Sequence, residues 1–207
     1  MKINNNTWNK FRYTLYSPFY DSVAGFLKNS RRKSISQLAI KDGDKVLIVG
    51  AGTGLDLEFL PNFCEITATD ITPSMVERIK KRNKKLLRNL KTHVMDGQKL
   101  DFEDNTFDFV ILHLILAVIP NPNACIQEAE RVLKPNGQVA VYDKFVKKNS
   151  KISFSRKFAN FFSNMFFTDI TRHFETILSA SKLTLISDID ADFNGNFRLI
   201  KLQKKGS

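Results

Sequence analysis

Cysteine is scarce: only Cys64 and Cys125 occur in 207 residues, far apart and without neighbours that would complete a metal quartet. That excludes a disulfide framework and a small metal-stapled module, so no metal is expected, and a reducing compartment is the expected setting. Long apolar runs are also missing. The longest, Phe109 to Ile119, is interrupted by His113 and is shorter than the roughly 20 residues that cross a bilayer. Met1 to Lys10 is polar, which predicts no secretory signal peptide. Neither an internal repeat nor a Gly/Ser/Pro-rich linker appears, so residues 1–207 are read as one domain. What is abundant is apolar mass, 43% of residues with 18 Phe, enough for a core that needs no covalent staples.

The formal charge of +11 is laid down in blocks. Residues 1–41 carry a net +7, 42–74 a net −5, 75–93 a net +7, 94–143 a net −5 and 144–207 a net +7. The total suits a polyanionic partner, either nucleic acid or an anionic membrane.

Lys45–Gly50 (KVLIVG) reads as a buried parallel strand running into a glycine-rich turn, Gly50–Gly54. A helix over Leu55–Leu60 is closed by Pro61, and Glu65–Asp70 is a second strand. Thr72 is a candidate N-cap with Pro73 near N1 of a helix reaching about Asn89. Strands are expected at Thr92–Met95, Thr106–Leu112 and Gln138–Asp143, with a helix at Asn123–Leu133. Residues 1–41 form a helical N-terminal cap, 146–181 hold two cover helices (151–167 and 169–181), and Thr184–Asp190 and Asn196–Leu202 form a final antiparallel pair. Strands alternating with helices imply an α/β, doubly wound sheet, mostly parallel, that binds its ligand beyond the carboxyl ends of the strands.

The turn Gly50-Ala51-Gly52-Thr53-Gly54 has the spacing G-x-G-x-G. A dinucleotide fingerprint needs G-x-G-x-x-G, and Leu55 stands where its third glycine would be. Asp56 and Glu58 add negative charge beside the turn, which favours a cationic, phosphate-free ligand. Asp70, at the end of the second strand, suits ribose hydroxyls. Asp96-Gly97, after the third strand, is placed for an adenine amino group.

Together these residues resemble the class I S-adenosyl-L-methionine-dependent methyltransferases over residues 45–145. Val46 to Gly54 corresponds to motif I, Asp70 ends motif II, and Asp96 and Gly97 form motif III. Glu128 to Gln138 (EAERVLKPNGQ) is similar to the E-x-x-R-V-L-K-P-G-G pattern of the small-molecule "type 11" branch. The resemblance implies a Rossmann-like seven-stranded sheet with its last strand antiparallel. It implies S-adenosyl-L-methionine as cofactor, with contacts from Gly50, Ala51, Gly52, Thr53, Gly54, Asp56, Asp70, Ile71, Met75, Asp96, Gly97 and His113. One position departs from the pattern: the family has Asp or Glu where this chain has Ile48, and Asp56 is the nearest carboxylate that compensates.

The acceptor is less constrained. After strand four, where amino-methylating DNA enzymes carry [N/D/S]-P-P-[Y/F/W], this chain has His113-Leu114-Ile115-Leu116, and no appended RNA-binding module is evident. That disfavours nucleic acid. Phe154, Phe158, Phe161, Phe162, Met165 and Phe166 at helical spacing, among Lys147, Lys148, Lys151, Arg156 and Lys157, suit a lipophilic substrate or an anionic membrane surface. Tyr16-Ser17-Pro18-Phe19-Tyr20-Asp21 resembles a segment of the quinone C-methyltransferases and the bacterial phosphatidylethanolamine N-methyltransferases, and Val118-Ile119-Pro120-Asn121-Pro122 resembles the V-V-P-D-P segment of the phospholipid enzymes. The expectation is therefore a small-molecule or lipid acceptor, best matched by the amino head group of phosphatidylethanolamine. The setting is the cytoplasm, with peripheral contact at the inner membrane face. A quinone or other small-molecule C/O-methyltransferase, or a non-catalytic cofactor-binding regulator, are the alternatives. His113 as proton acceptor, Asp143 as a further polar group and Tyr20 closing over the cofactor are the candidate catalytic residues.

Overall fold

The computed structural model describes residues 27–146, 172–192 and 196–206. Helix α1 (Lys28–Ser36) precedes β1 (Lys45–Val49), and a short 3-10 helix (Leu55–Glu58) follows the glycine turn. Then come β2 (Glu65–Asp70), α2 (Pro73–Leu86), β3 (Leu90–Val94), β4 (Phe107–His113), α3 (Pro122–Val132), β5 (Leu133–Lys144), α4 (Phe174–Leu178), β6 (Thr184–Asp190) and β7 (Phe197–Gln203).

The strands form one sheet in the order β3-β2-β1-β4-β5-β7-β6. The first five run parallel, and β7 is antiparallel to both β5 and β6. Strand periodicity sorts the core between two faces. Leu47, Val49, Val110, Leu112, Val139 and Val141 pack on one side with Ile126, Ala129 and Val132 of α3 and Phe174 and Ile177 of α4. Val46, Ile48, Ile66, Ala68 and Ile111 pack on the other with Ile35 of α1 and Ile79 of α2. The chain leaves the β3 edge and re-enters beside β1 as β4, so the switch point lies between the carboxyl ends of β1 and β4.

Several boundaries differ from the expected ones, each for a local reason. Residues 55–60 form only a four-residue 3-10 helix, because Gly54 enters it in the left-handed region and Leu55, Asp56 and Leu57 are all buried. Helix α2 ends at Leu86 rather than Asn89: Leu87 takes φ +52°, and the Asn83 side chain bonds both the N–H and the carbonyl of Arg88. Strand β3 consequently starts at Leu90. Strand β5 starts at Leu133, with an irregularity between the pairs Phe107–Leu133 and Phe109–Gln138 that absorbs the Lys134–Gly137 turn. The expected helix over 151–167, and the cap before residue 27, lie outside the described residues. Among the described residues no helix is long and apolar enough to cross a membrane.

Candidate functional site

Beyond the carboxyl ends of β1, β2 and β4 lies a cavity whose walls include Gly50, Gly52, Asp70, Ile71, Met75, Met95, Asp96, Gly97 and the stretch after β4 from Leu114 to Pro120. Gly50 shows why the turn is glycine-rich. Its φ is +65°, and a Cβ there would stand 2.5 Å from Cδ1 of Ile115 on the opposite wall. Gly97 serves a different need: its φ is ordinary, but a Cβ would stand 2.7 Å from Val49, so a side chain would push the Asp96 loop off the end of β1.

Asp70 organises this end of the sheet. One carboxylate oxygen accepts the Gly52 N–H and the other the Thr72 N–H, each at 2.9 Å, so one side chain fixes both the glycine turn and the entry to α2. Burial raises its pKa, and these two backbone donors offset part of that rise. A carboxylate has about four lone-pair sites, so Asp70 keeps acceptor capacity for a bound diol. Across the cavity, Asp96 accepts from the Gln98 backbone N–H at 3.0 Å and from its side-chain amide. Among the described residues the two charged members of the lining are both acidic, and the rest is glycine or apolar apart from backbone. Such a lining fits a ligand with a sugar, a flat base and a positive charge, and it disfavours a pyrophosphate.

Asp56 and His113 are not part of this lining. They form a buried cluster that ties the glycine turn to α1 and β4. The Asp56 carboxylate accepts from Arg31 Nη1 at 2.7 Å and faces His113 Nδ1 at 2.8 Å, while His113 Nε2 faces Ser34 Oγ at 2.9 Å. Burial alone would raise the Asp56 pKa, but the Arg31 charge, then His113, outweigh it and hold the carboxyl well below its usual range. An ionised carboxylate only accepts, so His113 donates through Nδ1. Both Asp56 oxygens are thus committed away from the cavity, and compensation for Ile48 by a direct cofactor contact does not match this geometry. Glu58 is likewise neutralised, by Lys28 at 3.1 Å and by Arg82. The charge expected beside the turn is cancelled, and Asp70 and Asp96 supply the acidity instead.

The catalytic expectations fare similarly. The His113 side chain is fully buried and both its nitrogens are engaged. Asp143 is 1% exposed and accepts from the Ala117 and Lys144 N–H groups, so neither side chain is presented to the cavity. Tyr20 lies outside the described residues. Ala51, Thr53 and Gly54 shape the turn without lining the cavity; Ala51 donates to the Thr69 carbonyl at 2.8 Å. Sequence reasoning missed Arg31, Ser34 and Met95, and it did not separate Ile115 from its apolar neighbours. Arg31 sits in a basic run with nothing to distinguish it, and its partner is 25 residues away.

Comparisons with known proteins follow the same lines. Residues 47–141 match a family model described as a methyltransferase domain. The chain is 26% identical over 188 residues to a phosphatidylethanolamine N-methyltransferase of Cereibacter sphaeroides, covering 90% of this chain and 93% of that enzyme. It is 32% identical over 122 residues to a demethylmenaquinone methyltransferase of Tropheryma whipplei (strain Twist), covering 58% of this chain and 50% of that one. Among solved structures, the [4+2]-cyclase SpnF superposes with a TM-score of 0.81 at 15% identity, covering 98% of each chain, a likeness of fold alone.

Proposed function

We propose that this chain, an S-adenosylmethionine-dependent methyltransferase, methylates the amino head group of phosphatidylethanolamine at an anionic membrane surface. The observation that carries this reading is the end-to-end match with the Cereibacter phosphatidylethanolamine enzyme, which extends beyond the methyltransferase domain into both flanks. The charge layout supports it: the two blocks that supply all of the cavity lining but Met75 are each net −5, and the other three are each net +7.

When bound, S-adenosylmethionine supplies an electrophilic methyl group on a positively charged sulfur. Asp70 would hold the ribose hydroxyls and Asp96 the adenine amino group. Gly50, Gly52 and Gly97 let backbone approach closely, and Ile71, Met75 and Ile115 offer apolar contact for the base. The apolar stretch after β4 excludes water from the transfer site. A neutral amine needs alignment more than a strong base, which agrees with a cavity whose lining, among the described residues, holds no histidine or lysine.

A second reading, transfer to the ring of a quinone, draws on the higher identity to the demethylmenaquinone methyltransferases. The chain spans about half of their length. Incubating the full chain with S-adenosylmethionine and vesicles of phosphatidylethanolamine with phosphatidylglycerol separates the two. The proposal expects methylated ethanolamine lipid by mass spectrometry, with turnover falling as salt rises or as phosphatidylcholine replaces phosphatidylglycerol. Methylation of an added demethylated quinone but not of the lipid would replace it with the second reading.

A further inference from the structure

The wall facing the glycine turn is a single turn of chain, residues 114–120. Val118 and Ile119 both donate to the Ile115 carbonyl, at 3.1 and 2.9 Å, and Leu114 carries a left-handed φ of +58°. This turn sets how far Ile115 stands from Gly50 and therefore how wide the cavity is. Several of its other backbone groups are held from outside. The Ala117 N–H donates to Asp143 Oδ2 at 2.9 Å. The Arg172 guanidinium donates to two of its carbonyls, Leu116 and, at 2.7 Å, Ile119.

Asp143, near the end of β5, and Arg172, just before α4, stand at the two ends of the connection between these elements. Those ends meet, with Val146 donating to the Arg172 carbonyl at 2.9 Å. One end thus grips the amide side of the wall turn and the other its carbonyl side. A carboxylate accepting from an amide and a guanidinium donating to carbonyls are charge-assisted bonds, stronger than neutral ones. We propose that Arg172 and Asp143 are positioning residues that clamp the 114–120 turn at the distance from Gly50 that cofactor binding requires. The proposal rests on the reading that this cavity takes S-adenosylmethionine. It assigns a purpose to Arg172 that the sequence left blank, and it makes Asp143 a residue that acts through the wall.

The test titrates S-adenosylhomocysteine calorimetrically into the full chain and its variants, with amide hydrogen exchange followed at 114–120. Arg172→Ala is expected to weaken binding about tenfold, the order expected for lost charge-assisted bonds. Arg172→Lys, which keeps a charge able to reach one carbonyl, should recover most of that loss. Exchange in 114–120 should quicken in Arg172→Ala while the β1 and β4 amides stay protected. A folded Arg172→Ala that binds like the parent, or an Arg172→Lys no better than Arg172→Ala, overturns the clamp. If Arg172→Ala fails to fold, Asp143→Ala, which removes the acceptor of the Ala117 N–H, decides: weaker binding with faster Ala117 exchange supports the clamp, and no change in either rejects it. Absence of binding by the parent chain would instead overturn the cofactor reading, and the clamp with it.

Discussion

Arg31, Asp56 and His113 illustrate how a residue can sit beside a recognisable motif and serve another purpose. Asp56 lies two positions after Gly54, yet both its oxygens face α1 and β4. The Arg31 and Asp56 side chains are 4% and 2% exposed, so removing one partner leaves a charge stranded in low dielectric. Arg31→Met is therefore expected to lower stability by about 3 kcal/mol, read from urea unfolding. Adding Asp56→Leu should restore part of it; a loss under about 0.5 kcal/mol, the size of a surface change, would show that the pair does not hold α1 to the turn. The places of Asp70 and Asp96 in the cavity wall were legible because Asp70 ends β2 and Asp96 follows β3 within contiguous motifs. The Arg31–Asp56–His113 cluster was not, since its contacts join positions 25 and 57 residues apart that no local pattern connects.

Among the elements, the strands were easier to read than the helix ends. β1 and β4 are largely apolar runs buried on both faces, and such runs announce themselves. The end of α2 did not, because it depends on the Asn83 side chain and on Leu87 adopting a conformation that its side chain opposes. Leu87 is 83% exposed and its N–H bonds the Asn83 carbonyl at 2.7 Å, so its strained φ serves only the helix stop. Leu87→Gly should stabilise the chain by about 0.5–1 kcal/mol, since the left-handed region costs a side chain roughly 1–2 kcal/mol and glycine almost nothing. Thermal unfolding checks this; a lower melting temperature would mean that the Leu87 side chain makes a contribution its exposure does not suggest. The start of β5 was hidden for a related reason: Lys134-Pro135-Asn136-Gly137 reads as a break, yet the ladder continues around it.

At the scale of the whole molecule, two buried carboxyls pull the pH dependence of stability in opposite directions. Burial pushes the Asp143 carboxyl up to about 6, the Ala117 and Lys144 N–H groups offsetting only part of it. Its native form binds a proton more readily than the unfolded chain, so its contribution grows as pH falls from about 6 toward about 3.9. Asp56 is shifted the other way by Arg31 and His113. Its stabilisation is complete above about pH 3.9 and is lost as pH falls below that. In urea unfolding across pH, Asp143→Asn should gain stability relative to the parent at pH 7, and the gap should close toward pH 4. A gap independent of pH would mean that Asp143 is not strained by its burial.

The charge blocks gain meaning once folded. A total of +11 first suggested a nucleic-acid surface, but among the described residues the charged members of the cavity lining are both acidic. The positive excess falls in residues 1–41, 75–93 and 144–207, and part of it is already spent inside the fold, where Arg31 pairs with Asp56 and Lys28 and Arg82 pair with Glu58. The central claim, methyl transfer to a lipid amine from an acidic cofactor cavity, is tested most directly in cells expressing the chain and fed methyl-labelled methionine. Mass spectrometry of their lipids and quinones then reads the acceptor. The account predicts label in the methylated ethanolamine-lipid series, abolished by Asp70→Ala. Label confined to a quinone or a soluble metabolite would contradict it.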